Sequence, residues 1–374
     1  MPVPVLQFGT SRFLQAHADL FIHEAREAGQ DIGPITVVKT SPGPERSNRL
    51  AHLARPEGYP VRIRGLVDGL RIERDLTVTS IARALDAVRD WDLLRQVFAQ
   101  EAALVISNTG DAGFAVPPAD RRRDFSDTTC PAGFPAKLLA LLAARFAAAA
   151  APLLILPCEL VAYNGQELRR ILGGLARDWS APAAFTAWLS DGVTICDTLV
   201  DRIVPSAIEP VGAIAEVYAL WAIAMPKGLE LPFCHEAVLP VDDLEPYLRL
   251  KLHILNLGHT WLAGEWLRGG RPPDETVREI LSDPSLRQGL LTLYREEVIL
   301  GFASAGLGDE ARAYVAKTMD RFDNPYLDHP LRDIAADHAI KVERRCGAFL
   351  DWVRQHDPSL VLPRLQGIAG RAPQ

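Results

Sequence analysis

Val3-Pro4-Val5-Leu6-Gln7-Phe8-Gly9-Thr10-Ser11-Arg12-Phe13-Leu14 opens the chain with a short apolar run, a glycine and the start of a helical pattern that reaches about Ala28. Strand, glycine turn, helix is how a dinucleotide-binding fold begins. The glycine permits a tight turn, and the N–H groups of the helix start face an anion. A full GxGxxG needs glycine where Ser11 and Leu14 stand. Taken alone, this loop fits a cofactor turn and an ordinary strand–helix turn equally well.

The next segments extend the pattern. Ile35-Thr-Val-Val-Lys39 is the natural second strand, and Ala103-Leu-Val-Ile-Ser107 a later parallel one. The loop Asn108-Thr109-Gly110 follows it, where the crevice of such a sheet lies, which favours the cofactor reading. Between them, 62–75 alternates Leu66, Leu70 and Ile72 around Asp68-Gly69 and reads as a hairpin beside the main sheet. The stretch 81–100 reads as helices, 134–151 as a helix, 153–156 as a strand and 167–175 as a helix. Alternating strands and helices imply an α/β fold: a parallel Rossmann-type sheet with helices on both faces. Residues 217–224 and 233–239 read as strands extending that sheet, and from Leu244 the pattern is almost wholly helical. The expected organisation is a dinucleotide-binding domain over 1–210 and a mostly α-helical substrate and catalytic domain over 211–374. Their boundary falls between about 205 and 243.

The 374 residues are 48% hydrophobic and 23% charged, with 40 basic against 47 acidic residues and a net charge of −7. That balance argues against a nucleic-acid partner and suits a soluble enzyme. The five cysteines are scattered without a CxxC, as in a reducing compartment. No basic leader precedes Val3, and the apolar tract 138–158 is broken by Arg145 and Pro152. It reads as a buried helix and strand, so the expectation is a cytoplasmic protein without a membrane span.

A second stretch carries the chemistry: Tyr247-Leu-Arg-Leu-Lys251-Leu-His-Ile-Leu-Asn256-Leu-Gly-His259-Thr-Trp-Leu-Ala263. On an α-helix Asn256 lies about 140° from Lys251 and His259 about 80°, so the three share one broad face. A buried helix loses packing energy by placing Lys, Asn and His inward unless they have work to do. Together they could hold and protonate a carbonyl oxygen. A lysine with that duty must give up its proton readily, which burial or a nearby cation promotes. Tyr247 and Lys251 also make a YxxxK pair, but no TGxxxGxG loop accompanies it and Tyr247 reads as structural.

Other polar residues keep two readings. An acid after the second strand would accept ribose hydroxyls; here Lys39-Thr40-Ser41 follows Val38. Lys39 would meet a 2′-phosphate or discriminate nothing, so NAD is expected, with NADP as the alternative. Asp201-Arg202 fits a structural ion pair or an active-site lining. Arg321, Asn324, His329, His338 and Lys341 are candidates to bind an anionic substrate, or form a solvated helix face. Phe233-Cys-His-Glu236 has no metal-closing spacing, and no metal is expected.

These motifs together resemble the mannitol dehydrogenase family of polyol-specific long-chain dehydrogenases. The matching pieces are Phe8-Gly9 through Phe13 to Ala16-His17, Ser107-Asn108-Thr109, Pro157-Cys158-Glu159, Asn164-Gly165 with Leu168-Arg169, Val200-Asp201-Arg202-Ile203-Val204-Pro205, Lys251 with Asn256 and His259, and Arg321-Phe322 with Asn324-Pro325. The resemblance implies metal-independent hydride transfer, with Lys251 as acid/base and Asn256 and His259 positioning the reacting oxygen. It places Phe8, Gly9, Ser11, Phe13, Lys39, Ser107, Asn108, Thr109, Asn164 and Asp201 at the cofactor, and Arg202, Arg321 and His329 at the substrate. Cys158-Glu159-Leu160 and the opening Leu-Gln-Phe-Gly are closer to the tagaturonate and fructuronate reductase branch. Leu160 stands where mannitol 2-dehydrogenases carry a carbonyl-polarising asparagine. The implied activity interconverts a keto sugar acid or ketose and its sugar-acid alcohol or polyol. The alternatives are a polyol-phosphate dehydrogenase and a non-catalytic nicotinamide-binding sensor. The expected partner is a small molecule, and the expected state a monomer or homodimer.

Overall fold

Val3–Phe8 (β1) is buried from Val5 onward because it is paired on both sides. The computed structural model describes residues 2–41, 45–110, 113–148 and 151–370. In it β1 lies between Ile32–Lys39 (β2) and a later parallel strand. The hairpin Tyr59–Val67 (β3) and Leu70–Val78 (β4) follows β2. Ile81–Asp86 (β5), Leu104–Ser107 (β6), Leu153–Pro157 (β7) and Val193–Ile195 (β8) complete the main sheet. Its order is β5-β2-β1-β6-β7-β8, all parallel. With the hairpin set aside, the strands run third, second, first, fourth, fifth, sixth, the doubly wound dinucleotide-binding order. Strand order therefore reverses between β1 and β6.

Two expectations are corrected. Residues 81–86 form β5, and only Trp91–Gln100 is helical there. Ile81 and Leu85 are four apart, a spacing that also suits a helix; pairing with β2 decides the matter. Residues 217–224 and 233–239 do not extend the parallel sheet. Leu220–Ala224 (β12) pairs antiparallel with Thr198–Asp201 (β9) and parallel with Val238–Val241 (β13), in a separate sheet. The short strand Ala213–Ala215 (β11) pairs with β3, and Ser206–Ala207 (β10) pairs with β11 on its other side. The β3–β4 hairpin stands as expected. Its Asp68 and Gly69 both have positive φ, 51° and 75°, as a two-residue turn between twisted strands requires.

Helices cover the sheet. Phe134–Ala148 is buried along most of its length, and Phe8 packs between Phe98 and Phe134, with ring centroids 6.5 and 5.2 Å away. Burying Arg145 in that helix is tolerated because its guanidinium donates to the Phe98, Ala151 and Pro152 carbonyls. Among the described residues no helix is long and apolar enough to cross a membrane.

The chain forms two compact units: 1–63, 74–215 and 219–244 make the first, and 64–73, 216–218 and 245–374 the second. The second unit is helical over 245–370, with the β3–β4 hairpin tip added to it. Its core gathers Leu250, Ile254, Leu257, Tyr294, Val298, Phe302 and Phe349.

One buried acid ties the hairpin's root to the first unit's core. Asp19, in the helix Ala18–Glu27, accepts a 2.8 Å bond from Tyr59 Oη, and burial pushes its carboxyl up to about 7. Between about pH 4 and 7 the folded protein thus keeps a proton that the unfolded chain releases. This contribution is complete below pH 4 and is lost as the pH rises to 7. Asp19→Asn keeps an acceptor for Tyr59 and removes the titration. Its melting temperature relative to wild type should rise by a few degrees from pH 5 to pH 8; an offset independent of pH would refute the assignment.

Candidate active site

The first unit supplies a polar crevice of about 320 Å3 at the carboxyl ends of β1, β2 and β6. Gly9, Thr10, Ser11, Asn108, Thr109 and Gly110 form one side; Thr40, Ser41 and Arg49 form the other. The backbone sets this shape. Gly9 N–H donates to the Val38 carbonyl and Asn108 N–H to the Phe8 carbonyl, so three strand ends are locked level. Gly9 has φ +117°, and a Cβ there would lie 2.3 Å from the Asn108 carbonyl oxygen. Only glycine allows that approach. Ser11 takes up the role a second glycine would leave vacant. Its Oγ caps the following helix by accepting from Leu14 N–H and donates to Asn108 Oδ1 at 3.4 Å.

The loop after β6 hangs on Glu159. Its carboxylate accepts from Ser107 Oγ at 2.9 Å, Thr109 N–H at 3.1 Å and Thr109 Oγ1 at 3.0 Å. Burial pushes this carboxyl up, against the pull of those donors. Asn108 Nδ2 donates to the Cys158 carbonyl at 2.7 Å. The sequence carried one signal for this anchor: an acid two residues past the end of a buried strand. The neighbouring Leu160 is 77% exposed.

Several expected cofactor residues act through the fold. The Phe8 ring is core and does not line the crevice; its carbonyl accepts from Asn108 N–H. Phe13 stacks on His17 at 4.7 Å. Burial pushes the His17 imidazole down to about 3, and its Nε2–H donates to the Leu220 carbonyl. Lys39 is turned inward, its ammonium 2.6 Å from Asp86, leaving Thr40, Ser41 and Arg49 to line the crevice. Asn164 is a staple: its amide donates to the Pro157, Glu159 and Thr198 carbonyls and accepts from Thr198 N–H. Asp201 ends β9 and is buried, and Arg202 donates to the Ala16 carbonyl at 2.7 Å beside the Phe21 ring.

The second unit holds the polar helix, and its geometry departs from an ideal one. Glu245–Leu250 is α-helical, Lys251–Leu255 is a π turn, and Asn256–Gly269 is α-helical again. Asn256 N–H bonds to the Lys251 carbonyl, five residues back. An i→i+5 bond stacks the residues it joins. Lys251 and Asn256 therefore stand one above the other, not about 140° apart. His259 is 8% exposed, with its ring 5.0 Å from His329 and 4.7 Å from Phe322. Burial holds the His329 imidazole below its ordinary value. Lys251, Asn256, His259 and His329 thus belong to one helical unit, with His259 and His329 in direct ring contact.

Arg321 is placed differently. Its guanidinium meets Glu216 at 3.0 and 2.8 Å in a buried bidentate pair and lies over the Tyr218 ring. Asn324 Nδ2 donates to the Arg64 carbonyl, and Lys341 Nζ to the Ile334 carbonyl. Among the described residues no group of three or more His, Cys, Asp or Glu side chains could hold a metal ion.

Residues 4–230 match the mannitol dehydrogenase Rossmann domain, and residues 243–362 the mannitol dehydrogenase C-terminal domain. The chain belongs to the mannitol dehydrogenase family. It is a dehydrogenase acting on CH–OH groups. The altronate oxidoreductase of Bacillus subtilis (strain 168) is 30% identical over 370 residues, which span 92% of this chain and 74% of that protein. That of Yersinia pestis is 32% identical over 369 residues, again 92% and 74%. These names favour the altronate branch of the family. Among solved structures, D-sorbitol dehydrogenase in substrate-free form has a TM-score of 0.77 at 17% identity, covering 94% of this chain and 76% of its own. Pseudomonas fluorescens mannitol 2-dehydrogenase, in a ternary complex with NAD and D-mannitol, has a TM-score of 0.71 at 17% identity, covering 100% and 85%. Both share the fold.

The Gly9 contact gives the crevice a direct test. Gly9→Ala must part the turn after β1 from the loop after β6. Dinucleotide affinity, read by quenching of tryptophan fluorescence, should fall at least about tenfold, a loss of roughly 1.4 kcal/mol. Undiminished affinity would separate the crevice from cofactor binding.

Proposed function

We propose that this protein is an NAD-dependent, metal-independent oxidoreductase that interconverts a keto sugar acid and its sugar-acid alcohol, of the tagaturonate–altronate type. The observation that carries the reading is the π turn. It stacks Lys251 with Asn256 on the helix that also bears His259, in a family of CH–OH dehydrogenases.

In the reductive direction Lys251 gives its proton to the substrate oxygen. Asn256 and His259 donate hydrogen bonds to that oxygen as negative charge develops on it. The ammonium supplies positive charge at the reacting oxygen, so no metal is required. Asn256 is suited to its part because its side-chain amide is half-buried and makes no hydrogen bond among the described residues. His329 contacts the His259 ring and orients it. In the oxidative direction a neutral Lys251 accepts the alcohol proton.

Held in the crevice, the dinucleotide would supply the hydride in its reduced form (NADH) and would take it up in its oxidised form (NAD+). The crevice fits a dinucleotide: the Gly9 turn, the Ser11-capped helix start and the Asn108–Gly110 loop offer backbone and polar side-chain groups to a pyrophosphate. The Rossmann-domain match and the neighbour solved with NAD support this choice. The altronate oxidoreductase relatives support the sugar acid.

Lys251→Ala should lower kcat by about 10²–10⁴-fold and leave the Kd for NADH within about twofold. Near-normal turnover would end the assignment. A panel of tagaturonate, fructuronate, fructose and fructose 6-phosphate, each with NADH and NADPH, should give its highest kcat/KM for tagaturonate with NADH. Preference for the phosphate ester would make the protein a polyol-phosphate dehydrogenase. NADH binding without turnover on any of them would make it a sensor.

A further inference from the structure

A π turn is rare, and an α-helix is the ordinary alternative for the same residues. Something must hold 251–255 in the wider form. Among the described residues two other π turns occur in the same unit, Tyr294–Val298 and Glu343–Gly347, and each sends a side chain to the first turn or to Asn256 at its end.

Tyr294 begins the second turn and is fully buried. Its Oη donates to the Ile254 carbonyl at 2.8 Å. Burial raises the phenol's pKa, so it remains a donor. Glycine at 258 lets it reach: a Cβ on Gly258 would lie 1.9 Å from that hydroxyl. Arg345 lies within the third turn. Its Nη1 donates to the Asn256 carbonyl at 3.1 Å and to Thr260 Oγ1 at 2.8 Å. Thr260 Oγ1 donates to the same Asn256 carbonyl at 3.0 Å. The Arg345 carbonyl accepts from His253 Nδ1–H at 2.9 Å. Burial pushes the His253 imidazole down to about 4, so it is neutral at pH 7. The widened turn is therefore bonded at Ile254, at Asn256 and through His253.

We propose that Tyr294 and Arg345 are positioning residues for the proton-transfer step: they hold the π turn and so keep Lys251 stacked on Asn256. Relaxation to an α-helix would turn the two apart by roughly one residue's rotation, about 100°. This proposal rests on Lys251 as the acid/base.

Tyr294→Phe keeps the ring and deletes the bond to Ile254. We expect kcat to fall about tenfold and the NADH Kd to stay unchanged. The solvent deuterium isotope effect on kcat should increase, because proton transfer becomes limiting, and the pH profile of kcat should shift. Gly258→Ala should reproduce these changes by displacing the hydroxyl, and should add little to Tyr294→Phe, whose hydroxyl is already gone. Arg345→Met should show the same signature, and Arg345→Lys, which keeps a donor, should partly restore kcat. Wild-type kcat in Tyr294→Phe overturns the proposal. So does a lower kcat with unaltered isotope effect and pH profile, the mark of a purely structural loss. Should Tyr294→Phe fail to fold, the Arg345 pair decides by the same readouts. Turnover surviving in Lys251→Ala would instead overturn the acid/base reading beneath it.

Discussion

The approach of Gly9 to the Asn108 carbonyl is the constraint on which the nucleotide-binding half depends. A parallel strand edge ends in carbonyl and N–H groups that need partners. Here the ends of β1, β2 and β6 satisfy one another, Gly9 to Val38 and Asn108 to Phe8. That closure leaves no room for a side chain at position 9, and it sets the loop bearing Ser107, Asn108 and Thr109 beside the turn. Glu159 then fixes the loop from beneath, and Ser11 fixes the helix start from the side. The crevice is preorganised by backbone contacts and a single buried carboxylate, with little reliance on long side chains.

Several charged residues are spent inside the fold. Lys39 faces Asp86, Arg321 faces Glu216, and Arg145 and Arg202 face backbone carbonyls. Removing a charge from water is costly unless it is paired. These four residues are therefore buried ties in this fold, not free binding groups. Sequence reading could propose Lys39 and Arg321 as anion binders. Their buried partners are 47 and 105 residues away, beyond what local pattern reveals.

The polar helix shows the opposite limit. Lys251, Asn256 and His259 stand out in the sequence because they interrupt an apolar face, and the structure keeps them on one helical run. Their mutual angles, however, follow from the local helix type. A period of 3.6 is the right default, and it fails where other segments bond to the backbone. Tyr294 and Arg345 do so from 40 and 89 residues beyond the carbonyls they reach. No spacing rule connects them to Lys251. The one local sign is Gly258, a glycine inside a helix where Tyr294 needs the space.

The sequence by itself determined the elements whose cause is local. These are the apolar run ending in Gly9, the Asp68-Gly69 hairpin, the buried tract around Phe134–Ala148 and β7, and the helical texture after Leu244. Periodicity and turn chemistry act over a few residues, so they can be read there. Tertiary structure decided what depends on partners far along the chain. It made 81–86 a strand by pairing it with β2, set β9, β12 and β13 apart as their own sheet, and turned Lys39 inward to Asp86. It also widened the helix at Lys251. In each case hydrogen bonds to distant groups outweighed a small local preference.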